Sequence, residues 1–454
     1  MKQIKRLLAV VLAVCLLASA AYAAEEERVP QEISPWAYGD LADIYALGMW
    51  TDEYQYCLLD PVTAGQLEAV TAAVSAKLAL LGLPAREASG EALVVDSTRG
   101  GVVNALYQAA ADYDFGLNAD PTQALAGLGV LRGDGSGDFH LDRPCTLQEA
   151  LVMARRLVLA LYDQCGAGSK GLLWKAVNGD TTLYLLGTVH VDRGNIYPFH
   201  SSLRQVIETV QDSYFEIDFM DMEGYEAFYA LQFYSDGTTL ADHVSAEIYT
   251  DAVAAGATLG LTEEQVAAFK PWALANMLQT LALNSGSEEA GASGAEAPML
   301  LDQYVYSSSV NLGHTIGQVE SYQFQAEMFD GLSAEYQEYY LGGMIAAYYG
   351  EGEVPGEENS SAQQVDTMLA AWKARDPDAF AAAYDKDAAL EDADELARAL
   401  LVGRDPGMIA WADGYLKQEG AHSGLLTVGA AHMVGQTGIV QGLIDLGYTV
   451  ELVP

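Results

Sequence analysis

Two histidines occupy the same kind of place. In "YLLGTVHVD" an apolar run stops at Gly187 and His190 follows three residues later; in "LLTVGAAHMVG" His432 stands the same distance beyond Gly429. Two carboxylates share that context. "SYFEID" carries Glu216 at the end of a short β-rich run, and "HTIGQVE" carries Glu320 at the end of another. An imidazole changes charge near neutral pH and either binds a ligand or moves a proton, and a carboxylate beside it supports both. Taken singly, each of these residues reads more readily as a hydrogen-bonded or ion-paired structural group. Their joint placement at strand ends points to a site. A third Gly-x-x-His, Gly137 to His140, sits in a polar loop with no strand before it and receives no role.

The elements that must position these groups follow from periodicity. "LLWKAVNGDTTLYLLGT" contains two β-rich runs around Asn178-Gly179, a hairpin signal. "SSLRQVIETVQD" puts Leu203, Val206, Ile207 and Val210 on one helical face. The strand of Glu216 comes next, then much later those of Glu320 and Gly429. "GIVQGLIDLG" reads as a helix closed by Gly447 and "YTVELV" as a last strand. Strand, helix, strand in that order predicts an α/β fold with a largely parallel sheet and flanking helices. In such sheets ligands bind at the carboxyl edge, so His190, Glu216, Glu320 and His432 are expected to converge there. The glycines let the chain turn tightly off its strands. His200 reads as a helix cap, and His243, His314 and His422 as surface or packing residues.

The chain has 454 residues, 51% of them hydrophobic, enough for two or three domains with a sizeable core. Its formal charge of −41 would repel a phosphate backbone and argues against nucleic acid as a partner. Residues 1–23 read as an export signal: Lys2, Lys5 and Arg6, then "LLAVVLAVCLLASA", then the small-residue site "AYA". An uncleaved anchor is the alternative, and no later run is long and apolar enough to span a bilayer. The protein is therefore expected to be secreted or held at the cell surface. Cys57, Cys145 and Cys165 remain after cleavage, too few for a disulfide framework, though one bridge is possible. "NSGSEEAGASGAEAP" and "GEGEVPGEENSSAQQ" read as polar surface loops.

Before the α/β region, residues 33–80 and 118–165 look alike, with a helical segment at 81–117 between them. Each copy has a short helix ending at a glycine (Gly48, Gly129), a polar loop, Leu-Asp, and a capping box, Thr63 with Gln66 and Thr146 with Glu149. The pattern resembles the S-layer homology module, and the resemblance implies attachment to a cell-wall glycopolymer. That module's Thr-Arg-Ala-Glu signature appears here as "TAGQ" and "TLQE", without the arginine.

The remainder, 170–454, resembles the TraB/GumN family, which includes the Tiki-type metalloproteases. The matching pieces run in order: "LLGTVH", "SYFEID", "LADHVSAEIYTDAVAAGATLGLTEEQVAAFKPW", "LDQY", "IGQVESYQFQ", "AAWKARDP", "LLVGRDPGMIA" and "LLTVGAAHMVGQTGIVQGLIDLGYTV". The resemblance implies metal-dependent hydrolysis of a peptide or protein. On it, His190, His432 and Glu216 are the expected ligands of a divalent transition metal of the Mn, Co or Zn type, and Glu320 a base or fourth ligand. Such a metal would acidify a bound water and polarise the scissile carbonyl. Gln325 is carried over as a supporting residue. Arg404 is carried over as a group for a substrate carboxylate or an oxyanion, although the family's Arg-Asn is here Arg404-Asp405. Lys270-Pro271-Trp272 matches a structural corner. There is no HExxH helix. Two further readings stand beside this one: a metal-free esterase-type hydrolase with a His/Glu base, and a non-catalytic exported protein that binds a peptide or cofactor.

Overall fold

The computed structural model describes residues 29–86, 96–189, 196–285, 299–349, 362–391 and 394–454. The expected export signal, His190 and most of both polar loops lie outside them. Five helices come first: α1 (Tyr38–Ala46), α2 (Ala64–Ala79), α3 (Arg99–Ala111), α4 (Pro121–Gly127) and α5 (Leu147–Gln164). Both capping boxes form. The Gln66 N–H donates to Thr63 and the Thr63 N–H to Gln66, and Glu149 and Thr146 do the same. Gly48 and Gly129 both have φ +70°, the left-handed cap that lets each short helix end. The segment between the repeats adds a third helix of this kind: Thr98 caps α3 by accepting the Gly101 N–H at 3.1 Å. Helices α2, α3 and α5 pack against one another, and backbone hydrogen bonds Val62→Cys145 and Cys145→Ser97 tie their three starts together.

The rest is an α/β unit. Strands β1 (Leu172–Asn178), β2 (Thr181–Thr188), β3 (Asp212–Phe215), β4 (Thr315–Gln318), β5 (Ser423–Gly429) and β6 (Thr449–Leu452) form one sheet in the order β4-β3-β5-β2-β1-β6. The first four in that order are mutually parallel; β1 is antiparallel to both β2 and β6. The sheet is thus mixed. The physical reason is the two-residue turn Gly179-Asp180, which can only reverse the chain and so sets β1 against its successor. Strand β5 is buried along Gly424–Val428, as a central parallel strand with both faces covered must be.

Helices follow most strands: α6 (Ser201–Thr209) after β2, α7 (Met222–Leu231) after β3, then α8 (Ala246–Thr258), α9 (Glu263–Ala268), α10 (Pro271–Ser285) and α11 (Leu301–Leu312) before β4. After β4 come α12 (Tyr322–Asp330), α13 (Ala334–Tyr348), α14 (Ala362–Ala374), α15 (Pro377–Ala383), α16 (Lys386–Glu391), α17 (Glu395–Leu400) and α18 (Asp405–Leu416). Finally α19 (Ala430–Met433) leaves β5 and α20 (Ile439–Asp445) leads to β6. The molecule is mostly helical by residue, with the sheet at its centre.

Two apolar cores result. One is continuous from the N-terminal helices through both faces of the sheet. The other belongs to a helical lobe built from α8, α9, α10, α12, α13 and α17. In that lobe Lys270 and the Trp272 indole both donate to Asp330, and Trp272 stacks on Phe329 at 5.5 Å, so the Lys-Pro-Trp corner is a packing device. No helix among the described residues is long and apolar enough to cross a membrane. Cys57, Cys145 and Cys165 are all unbridged, and burial pushes the Cys145 thiol up to about 12.

Candidate functional site

The parallel strands bring their carboxyl ends to one edge. Register makes this definite: Thr188 lies opposite Gly429, and Phe215 lies opposite both Thr427 and Gln318. Glu216 and Glu320 leave β3 and β4 side by side, linked by the Glu320 N–H to the Glu216 carbonyl at 2.9 Å. Val189 is the last described residue before His190, one past the end of β2 on this same edge.

Arg404, immediately before α18, lies between the two carboxylates. Its Nε donates to Glu320 Oε1 at 2.9 Å and Oε2 at 3.1 Å. Its Nη2 donates to Glu320 Oε2 at 2.6 Å and to Glu216 Oε2 at 2.5 Å. The guanidinium side chain is 8% exposed. Gly429 N–H donates to the other Glu216 oxygen at 2.9 Å, and Gln325 donates to Glu320 at 3.2 Å. Burial pushes the Glu216 carboxyl up, but Arg404, His432 and the Gly429 N–H outweigh it and hold the group at about 2. Burial likewise works against the charge on Arg404, and its two carboxylates override this and raise its pKa.

His432, 4% exposed on the short α19, completes the described part of the site. Its Nδ1 is 2.8 Å from Asp405 Oδ1. A Cβ placed on Gly429 would be 3.6 Å from both Glu216 Oε1 and His432 Cδ2, so the Glu216 carboxylate and the Cδ2 edge of the imidazole both border Gly429. The other Asp405 oxygen accepts from Lys386 Nζ at 2.6 Å and from the Thr437 hydroxyl at 3.0 Å. The hydroxyls of Thr188 and Thr427, buried in β2 and β5 near this edge, find no hydrogen-bond partner among the described residues.

The two glycines differ from expectation. Gly187 lies inside β2, where a Cβ would come within 3.0 Å of the Ala430 backbone, so it permits close approach of α19 and does not serve a turn. Gly429 has φ −52°, and a Cβ there would meet only ordinary contacts; its contribution is its N–H. Of the six residues singled out in the sequence, Glu216, Glu320, Arg404, Gln325 and His432 come together; His190 lies outside the described residues.

Asp405 and Lys386 went unmarked as site residues. Asp405 carried one signal, a carboxylate beside Arg404 at the head of an apolar helix. Lys386, in "YDKDAAL", reads as part of a solvated charge run and carried none. Among the other histidines, His200 caps α6 by accepting the Ser202 N–H, His314 bonds to Ser213, and His243 stacks on Tyr234.

A parallel-centred α/β sheet with a polar cluster at its carboxyl edge is the class this geometry defines. The model of the TraB/PrgY/gumN family matches residues 172–452, more than half of the chain, and the protein belongs to that family. The match begins at β1, after the N-terminal helices. No curated protein and no solved structure matches the chain.

Proposed function

We propose that the protein is a hydrolase in which His432, held by Asp405, is the general base. The observation that carries this reading is the Asp405–His432 pair, set beside the Glu216–Arg404–Glu320 cluster on the carboxyl edge. Asp405 accepts from Nδ1, which leaves Nε2 as the basic nitrogen of the neutral ring. That nitrogen takes a proton from water as the water oxygen attacks a substrate carbonyl. The positive charge that appears on the imidazole is stabilised by Asp405 on one side and Glu216 on the other. Arg404 Nη1 makes no bond to a described residue and is the donor available to an oxyanion.

The metal implied by the family resemblance fits the described residues poorly. Every oxygen of Glu216 and Glu320 already accepts from an N–H, mostly from Arg404, whose charge stands where a cation would. Among the described residues no group of three or more His, Cys, Asp or Glu is arranged to hold a metal. One observation favours a metal reading nonetheless. A metal-ligating histidine characteristically gives its other nitrogen to a carboxylate, as His432 does. On that second reading His190 and Glu216 join His432, and Arg404 releases its hold on Glu216.

One experiment tests both. The purified mature protein is analysed for bound metal and assayed on peptide and ester libraries before and after exhaustive chelation, beside His432→Ala. Activity that survives chelation and is lost in H432A supports the base reading. Loss on chelation with recovery on adding Mn, Co or Zn overturns it for the metal reading, and binding without turnover in every condition supports the non-catalytic one.

For the N-terminal helices we propose the role implied by their resemblance, attachment to a cell-wall glycopolymer after export. In support, a cavity of about 470 Å³ there is lined by Arg99, Arg132, Arg143 and Arg156 with Trp36 and His140, beside Asp134 and Glu149, the latter paired with Arg99 and Arg143. That places four arginines together in a chain with 22 basic residues against 63 acidic ones. Arg99 at the start of α3 supplies the arginine that both repeat signatures lack. Co-sedimentation with purified wall polymer, lost in R99M/R143M, is the expected result; undiminished sedimentation refutes it.

A further inference from the structure

Lys386 is a lysine with no exposed side chain, a rare state for an ammonium group because removing it from water is costly unless an anion meets it. Its ionic partner among the described residues is Asp405, itself 1% exposed. The two Asp405 oxygens divide their work. Oδ2 takes Lys386 and the Thr437 hydroxyl, and Oδ1 is left to His432 Nδ1. A carboxylate pinned at Oδ2 by a charged donor and a hydroxyl cannot rotate, so Oδ1 stays aimed at the ring. Oδ1 is an acceptor only, so Nδ1 must carry the ring proton.

The same segment grips the chain just beyond His432. The Gln436 N–H donates to both oxygens of Asp387, at 3.0 and 3.2 Å. Gly435, at φ +79°, passes so near that a Cβ on it would stand 3.1 Å from Lys386 Cδ. The head of α16 therefore constrains His432 twice: through Asp405 at its ring and through residues 435–437 behind it. Neither contact reaches the reacting edge of the imidazole.

We propose that Lys386 is a positioning residue that acts through Asp405, fixing His432 as the Nδ1–H tautomer and leaving Nε2 unprotonated. The proposal rests on His432 being the working histidine, as base or as ligand, but its test does not require turnover. A lysine that merely added a buried ion pair would leave the tautomer of His432 unaltered when its charge was removed.

The test uses the full mature chain labelled with ¹⁵N-histidine, the His432 resonances being those that vanish in H432Q. Wild type is expected to show a single tautomer protonated at Nδ1. Lys386→Met is expected to give exchange-averaged shifts between the two tautomers, and kcat on any library substrate lowered about 10- to 100-fold with KM within about twofold. The double variant K386M/D405N buries no lone charge and still offers an amide oxygen to Nδ1. With neither the pin nor the carboxylate it is expected to show exchange-averaged tautomers and a kcat at least as low as that of K386M, and it carries the test should K386M fail to fold. A single Nδ1–H tautomer of wild-type kind in K386M, or in the double variant with full kcat, overturns the proposal. Full activity in H432Q would instead sink the base reading while leaving the tautomer result to stand, so the two failures are distinguishable.

Discussion

At the scale of single residues, the site is governed by how few cations serve many anions. Arg404 is the sole positive group bonded to Glu216 and Glu320 among the described residues, and both carboxylates are at hydrogen-bonding distance from it. Removing it leaves two negative groups facing each other in a mostly buried cleft. Arg404→Met is therefore expected to lower unfolding stability by about 3–5 kcal/mol, measured by urea denaturation, and adding Glu320→Gln is expected to restore part of the loss. The same coupling sets an acid limit. Glu216 is held at about 2 against an ordinary value of 4.5, so its folded pKa is depressed. Its contribution is complete above about pH 4.5 and is lost as pH falls toward 2, an effect of roughly 3 kcal/mol as an upper figure. The stability gap between wild type and Glu216→Gln should shrink across that window; a gap independent of pH from 5 to 2 would contradict it.

At the scale of elements, the histidine is placed by a strand and a short helix packed without a spacer. Gly187 in β2 passes under α19, with the Ala430 backbone and the Met433 side chain where a Cβ would be. The Gly187 carbonyl accepts the Trp372 indole N–H at 2.7 Å, so the strand cannot retreat. Gly187→Ala must push α19, and His432 with it, away from the sheet. A loss of about 1–3 kcal/mol in stability is expected, and under the proposed function the rate of hydrolysis falls further than the stability loss explains. The expected hairpin and the helix "SSLRQVIETVQD" both stand where the sequence puts them, because a two-residue turn and a one-sided apolar face leave little choice. The pairing of β6 was not legible. Its residues say strand, but nothing in "YTVELV" tells β1 from another edge. Nor did sequence show the separate core of the helical lobe, since its apolar positions read like any others.

At the scale of the whole molecule, the N-terminal helices and the sheet unit share one apolar core, and their junction is specific. The Tyr304 hydroxyl donates to Asp43 Oδ1 at 2.5 Å, and Arg155 holds the other oxygen of the same carboxylate. The Tyr304 ring packs against Phe199 and Tyr197 at 4.9 and 5.4 Å. Arg204 pairs with Asp163 across the same boundary, and Asn311 donates to the Tyr38 carbonyl. The two units are expected to unfold in one transition. Tyr304→Phe removes a charge-assisted hydrogen bond and should shift that transition by about 1.5–3 kcal/mol. An early, separate melting of the helices by far-UV circular dichroism would show that the shared core does not couple them.

What the sequence determined by itself was the set of local facts: both threonine capping boxes, the helix–glycine endings, the hairpin, the strands, and the polar residues at their carboxyl ends. These depend on spacings of a few residues, which a linear reading can see. What only the tertiary structure decided was who meets whom. Arg404 inserts between Glu216 and Glu320, and Lys386 reaches Asp405 and through it His432, across separations that no periodicity records. A buried charge is placed by the anion that compensates it, and that partner exists only once the chain has folded.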